Sequence, residues 1–377
     1  MYAHPGTSYP TTTRVKHLAE NPRTATKAGI KRASKSARGK MRQLDKEQIS
    51  QLERAYRQAV EDIGAYLKGR AGDDNTLRLE VMRDLMDQAN ARLAALAGER
   101  DDLLNIGLFN AADLGAQPFA ETGLSLMKVA DDAVRKVTQF VADDGLQLST
   151  RIWNLNHQAD EIITQSIQRA IIQGHSASQA AQEFLARGAN IPADLAKNIN
   201  ASQWDKIYAQ IKNGLLTGDG SAYSNAKRVF RTEINRAHGE AYQGAAFEHP
   251  DVIGTRFLLS PNHPKTDICD MHARVNRYGL GPGVYPKDKN PWPAHPNTLS
   301  FTEVVFADEV SDEDRAGKED RIEWLKKQPA GVQESVLASR KKRAALERGL
   351  ITENQIGTPW NVLKKRFERK GIDVEKL

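Results

Sequence analysis

The sequence predicts a predominantly helical α+β fold. Aromatic residues make up only 6% of the 377 positions, which favours helix packing on Ala, Leu and Ile over an aromatic-rich β-sandwich. Through most of the chain, apolar residues recur every three or four positions, the period of an amphipathic helix. Only residues 252–260 and 297–306 have the composition of strands. We therefore expect helical regions around one small β module.

The helices follow in order from their apolar stripes. Stripes over 46–70 and 82–96 predict an antiparallel hairpin, with Asp74 capping its second helix. Residues 105–123 contain glycines, a proline and no sustained period, so we expect a loop there. Further helices are expected at about 124–140, 152–174, 176–188, 191–199, 202–214 and 223–247, and from about 312 onward.

These elements divide the chain into four parts. We expect a basic disordered tail over 1–43, an N-terminal helical region over 44–145, a central domain over 146–310 and a basic helical C-terminal extension over 311–377. The central domain ends in the β module, at 251–306. In its helix over 223–247, small residues line one narrow face, which predicts close approach by a neighbouring backbone.

The first 43 residues carry ten Lys or Arg and one acid, whereas the rest of the chain is nearly neutral. Such a segment can neutralise DNA phosphates and release counterions without reading sequence. An equally open interpretation is a solvated tail, or a strip that docks on an acidic protein. The cations expected to contact nucleic acid are Lys27, Lys31, Arg32, Lys35, Arg38, Lys40 and Arg42.

Several function classes are disfavoured by the sequence. No apolar run has the length of a membrane span and the first residues lack a secretory signal, so we expect no membrane span and a chain that stays in the cytoplasm of the cell that makes it. The single cysteine, Cys269, excludes an intrachain disulfide and an all-cysteine metal site. H-E-x-x-H, P-loop, G-x-G-x-x-G and G-x-S-x-G patterns are missing, and we expect no enzyme activity.

Three landmarks occur in order: GHSASQAAQEFLARG at 174–188, RVFRTEINRAHGEAY at 228–242, and FLLSPNHPKTDICDMH at 257–272 followed by PAHPNTLSF at 293–301. Together they resemble the bacteriophage Mu F-like head morphogenesis, or minor head protein, family. The resemblance implies that 146–310 is a head morphogenesis domain in a structural minor capsid protein of a tailed-phage virion. It also implies the portal protein, other head proteins and packaged DNA as partners, and a place at the portal vertex or in the capsid interior.

The resemblance is incomplete within the β module. The family usually reads His-Pro-x-Cys-x-Cys there, whereas this chain has His295 followed by Pro-Asn-Thr-Leu-Ser, without either cysteine. Asp267, Cys269, His272 and His295 remain, and Cys269, His272 and His295 are the candidate metal ligands. We expect no cofactor, with zinc as the alternative. In the simpler interpretation, His295 and Asp267 hydrogen-bond loop amides.

On the helix over 223–247, the polar residues Arg231, Asn235, His238 and Tyr242 share one face by helical spacing. Such a face is usually solvated. The Arg231 guanidinium can also bind carboxylates or carbonyls, and we expect Arg231 to attach this helix to the β module.

The alternative function is a metal-dependent nuclease, or another virion-borne enzyme, that uses Asp267, His272 and His295. An HNH-type nuclease site needs a hairpin followed by a helix that carries its last ligand. Residues 297–306 instead continue as an alternating strand, which disfavours this alternative.

Overall fold

A computed structural model describes residues 26–70, 81–120, 126–141, 145–174, 204–295, 298 and 300–374. The helices predicted at 176–188 and 191–199, and most of the first landmark, lie outside these ranges. So do the first 25 residues of the predicted tail.

The described residues form helices and one small antiparallel sheet, which confirms the predicted predominantly helical α+β fold. None of the described helices has an apolar stretch long enough to span a bilayer. In chain order the elements are α1 (Lys27–Arg70), α2 (Met82–Ala116), α3 (Leu126–Gln139), α4 (Leu148–Gly174), α5 (Trp204–Lys212), α6 (Ala222–Ala246), β1 (Val252–Leu258), α7 (Ile268–Arg274), β2 (Val284–Tyr285), β3 (Phe301–Phe306), α8 (Asp312–Ala316), α9 (Arg321–Lys326), α10 (Ala330–Leu337), α11 (Arg340–Glu347) and α12 (Trp360–Arg369).

Helix α1 begins at Lys27, so the prediction of a disordered segment up to residue 43 is wrong for residues 27–43. The N-terminal part of α1 buries Ile30 and Met41 in the main core, and Ala37 is buried on the same helix. These three residues are separated by seven and four positions, the spacing of one helix face. Because lysines and arginines surround this short apolar stripe, the composition of the segment resembles that of a disordered tail.

The predicted loop over 105–123 is also largely wrong, because α2 continues to Ala116 and a 3-10 turn follows over Gln117–Phe119. The glycines in this stretch allow close approach between helices. A Cβ atom at Gly107 would lie 2.6 Å from Ile234 Cδ1 of α6, and one at Gly115 would overlap the His238 carbonyl of α6. The small-residue face of α6 therefore meets α2 at close range, as its composition predicts.

Helices α1 to α6 share one hydrophobic core, which also receives Val252, Val304 and Phe306 from the sheet. The sheet order is β2-β1-β3, with Thr255 of β1 opposite Tyr285 of β2 and Val304 of β3. Helices α9 to α12 build a second core around Trp324, Leu346 and Phe367.

Candidate functional site

The candidate site lies at the start of α7, which lies between β1 and β2 in the chain. Asp267 is the N-cap of α7, and its Oδ1 accepts a hydrogen bond from the Cys269 amide at 2.7 Å. The Asp270 carboxylate accepts from the Asp267 amide at 3.0 Å and completes a capping box. The cap holds the Asp267 side chain beside Cys269 at the first turn of the helix.

A third side chain reaches this turn from the segment before β3. His295 Nε2 lies 3.2 Å from Asp267 Oδ2, and ligand atoms of Asp267, Cys269 and His295 all lie within 4.8 Å of one another. Cys269 is fully buried, whereas Asp267 and His295 are partly exposed. The cluster therefore has a buried thiol and a solvent-facing edge.

The electrostatics of Asp267 follow from these contacts. Burial alone would raise the pKa of Asp267, but the hydrogen bonds from His295 and the Cys269 amide outweigh that effect and lower it. The carboxylate is thus held in its charged form. The simpler sequence interpretation, in which Asp267 hydrogen-bonds a loop amide, describes part of this arrangement.

His272 does not join the cluster, although its spacing from Cys269 made it a predicted ligand. Its ring packs near the rings of Phe257 and Tyr285, at centroid distances of 5.7 and 6.5 Å. Burial, with smaller contributions from Arg321 and Arg277, lowers the pKa of His272 to about 3. The structure thus brings Asp267, and not His272, together with Cys269 and His295.

Sequence reasoning missed His263, which belongs to a second group with Asp267 and Asp270. His263 Nε2 lies 2.9 Å from Asp270 Oδ2, and Arg274 pairs with Asp270 Oδ1 at 3.1 Å. The available signal was that His263 lies four residues before Asp267 in the stretch leading into the cap. The Arg274 guanidinium beside Asp270 adds a positive charge to this second group, which disfavours a cation there.

The polar face of α6 divides between two neighbours. Asn235 Nδ2 donates to the Thr298 carbonyl at 3.2 Å, and the Tyr242 hydroxyl accepts from the Val304 amide at 3.0 Å. These two bonds attach α6 to the β module.

Two other members of the face behave differently. The prediction that Arg231 attaches the helix to the β module is wrong, because its Nε lies 3.5 Å from Asp45 Oδ2 of α1. Burial lowers the pKa of His238 to about 4, and its Nε2 has no hydrogen-bond partner among the described residues. A neutral His238 therefore packs inside the fold rather than facing a ligand.

The predicted DNA-contacting cations of α1 fall into two sets. The paired cations bind carboxylates that follow or belong to β3: Lys27 with Asp308, Lys31 with Glu309, and Arg38 with Glu303. The open cations are exposed and have no carboxylate partner among the described residues; they are Arg32, Lys35, Lys40 and Arg42. Contact of either set with nucleic acid stays a prediction.

Comparison with family models, with curated proteins and with solved structures finds no match to this chain.

Proposed function

We propose that the chain is a structural minor head protein of a tailed bacteriophage. In this proposal it resides in the virion, in the capsid interior or at the portal vertex, and acts in head assembly. A further part of the proposal is a role in DNA packaging or ejection. Its partners are the portal protein, other head proteins and packaged DNA.

The observation that carries the proposal is the ordered set of three sequence landmarks. The arrangement of the second and third landmarks supports reading these two as one unit, because the second lies on α6 and the third spans β1, α7 and the segment before β3. Asn235 and Tyr242 join these parts by hydrogen bonds. Residues that the resemblance singles out are thus used to hold a helix against a small sheet.

We propose no catalytic role for the Asp267 cluster. The nuclease alternative requires Asp267, His272 and His295 to act together, yet the His272 ring faces Phe257 and Tyr285. Metal-dependent DNA cleavage that His295→Ala abolishes, in a variant that remains folded, would instead favour the nuclease.

The interaction with the portal is tested by co-expressing this chain with the tagged portal protein of the same genome. We expect the full-length chain to co-purify with assembled portal rings, because the proposed role is structural. The major capsid protein carrying the same tag serves as the control bait. Portal rings that purify without the chain, together with normal head assembly after deletion of its gene, would contradict the proposal.

A further inference from the structure

We propose that Asp267, Cys269 and His295 form a binding site for one zinc ion. This inference concerns a ligand of the β module and does not depend on the proposed virion role. Two separate segments supply the three side chains: the first turn of α7 and the segment that precedes β3.

The donor set fits zinc in chemistry. A thiolate, an imidazole and a carboxylate are all common zinc ligands, and a site with three protein ligands leaves a fourth position for water. The positive charge of Zn²⁺ would also be balanced by one thiolate and one carboxylate, which lowers the cost of charge beside the buried Cys269.

The donor set also fits zinc in geometry. Zinc–ligand bonds of about 2.0–2.3 Å in a tetrahedron separate neighbouring ligand atoms by roughly 3.3–3.7 Å. The distance from Asp267 Oδ2 to His295 Nε2 is 3.2 Å, and every pair in the cluster lies within 4.8 Å. Small side-chain rotations would therefore bring the three atoms to binding distance.

Existing contacts do not prevent the ligand atoms from binding a metal, although the Cys269 side chain and His295 Nε2 are buried from solvent. Asp267 Oδ1 is used by the helix cap, but Oδ2 faces His295 and is free to exchange that contact for a metal bond. Cys269 Sγ has only a weak contact with Thr298 Oγ1 at 3.6 Å. The partly exposed Asp267 and His295 provide the path by which an ion would enter.

Two nearby histidines supply matched controls. His263 pairs with Asp270, and His272 is packed against aromatic rings, so neither belongs to the proposed ligand set. His272 lies three residues from Cys269 on the same helix, so its spacing alone would make it a zinc ligand. The His272 variant therefore tests whether the ligands are those predicted by spacing or those that lie close together in the fold.

The experiment is titration of the full-length, chelator-treated protein with zinc chloride and, in parallel, with cobalt chloride. We expect one equivalent of either metal to bind, and cobalt to give a thiolate-to-metal charge-transfer band in the near ultraviolet. Cys269→Ser should remove the band. Asp267→Asn and His295→Gln should each weaken binding by about tenfold or more, whereas His263→Gln and His272→Gln should change it by less than about threefold.

Circular dichroism establishes whether each variant is folded. If Cys269→Ser does not fold, His295→Gln is the decisive variant, because His295 is partly exposed and lies outside the helices. The inference is overturned if no cobalt band forms, or if folded His295→Gln binds as tightly as the wild type. It is equally overturned if folded Cys269→Ser keeps the band, or if folded His272→Gln loses it.

Discussion

Helices α2 and α6 pack so closely that a single added methyl group should separate them. Gly115 of α2 is buried against α6, where a Cβ atom would overlap the His238 carbonyl oxygen and lie 3.0 Å from the Tyr242 amide nitrogen. Comfortable contact needs about 3.5 Å, so the backbones must move apart by at least about 0.5 Å at Tyr242. Neither obstacle is a side chain that can rotate away.

The expected cost of Gly115→Ala follows from two opposing effects. Alanine in place of glycine within a helix favours folding by about 0.5–1 kcal/mol. Overpacking between well-packed elements costs about 1–3 kcal/mol, and backbone obstacles place this site at the upper end. We therefore expect a net loss of about 2 kcal/mol in the free energy of unfolding.

The same substitution elsewhere in α2 provides the control. Gly98 is exposed, and a Cβ atom there meets nothing within 4 Å, so Gly98→Ala should raise stability by about 0.5–1 kcal/mol. Urea unfolding followed by circular dichroism measures both. Equal rises in the two unfolding midpoints would refute the close approach of α2 and α6.

Three further predictions test other parts of the molecule. Replacing the four open cations with Gln should reduce the steepness of log affinity for duplex DNA against log salt by up to about 3.6, because each phosphate contact contributes about 0.9. Replacing the paired cations should change this slope less; equal slopes in both variants would contradict this assignment. Buried Lys342 donates to the Ile356 carbonyl, and burial lowers its pKa to about 8 from 10.5. The folded state therefore favours neutral Lys342, and stability relative to Lys342→Met should rise with pH between about 8 and 10.5, as measured by urea unfolding; parallel pH profiles would count against it. A Cβ atom at position 239 would overlap the Trp292 indole, which donates to the Ser300 carbonyl at 2.9 Å. Gly239→Ala should therefore displace this indole and shift tryptophan fluorescence to longer wavelength; an unchanged spectrum would argue against this packing.

Strong apolar periodicity made most of the fold predictable. The stripe of α4 ended at Gly174 as observed, and both main strands were found from composition. The wrong prediction of a loop over 105–123 arose because glycine occurs both in loops and at close contacts between helices. Glycines such as Gly107 and Gly115 indicated a loop, but here they let helices touch.

The candidate site was predictable in its residue types more than in its arrangement. Cys269, Asp267 and His295 were identified from the sequence, because they remain in the region where the resembled family carries its Cys/His pattern. The exclusion of His272 was not predictable, because it depends on aromatic rings from β1 and β2 that only the folded sheet brings beside α7. Likewise, no local pattern indicated that Lys27 and Lys31 would pair with acids about 280 residues away.

The central claim, a virion structural role, is tested most directly by quantitative mass spectrometry of purified particles from the genome that encodes this chain. Particles are disassembled in steps, and each fraction is analysed for this chain, the portal protein and the major capsid protein. We predict that the chain is present in far fewer copies than the major capsid protein and that it remains with the portal fraction. Its absence from intact, infectious particles would contradict the account.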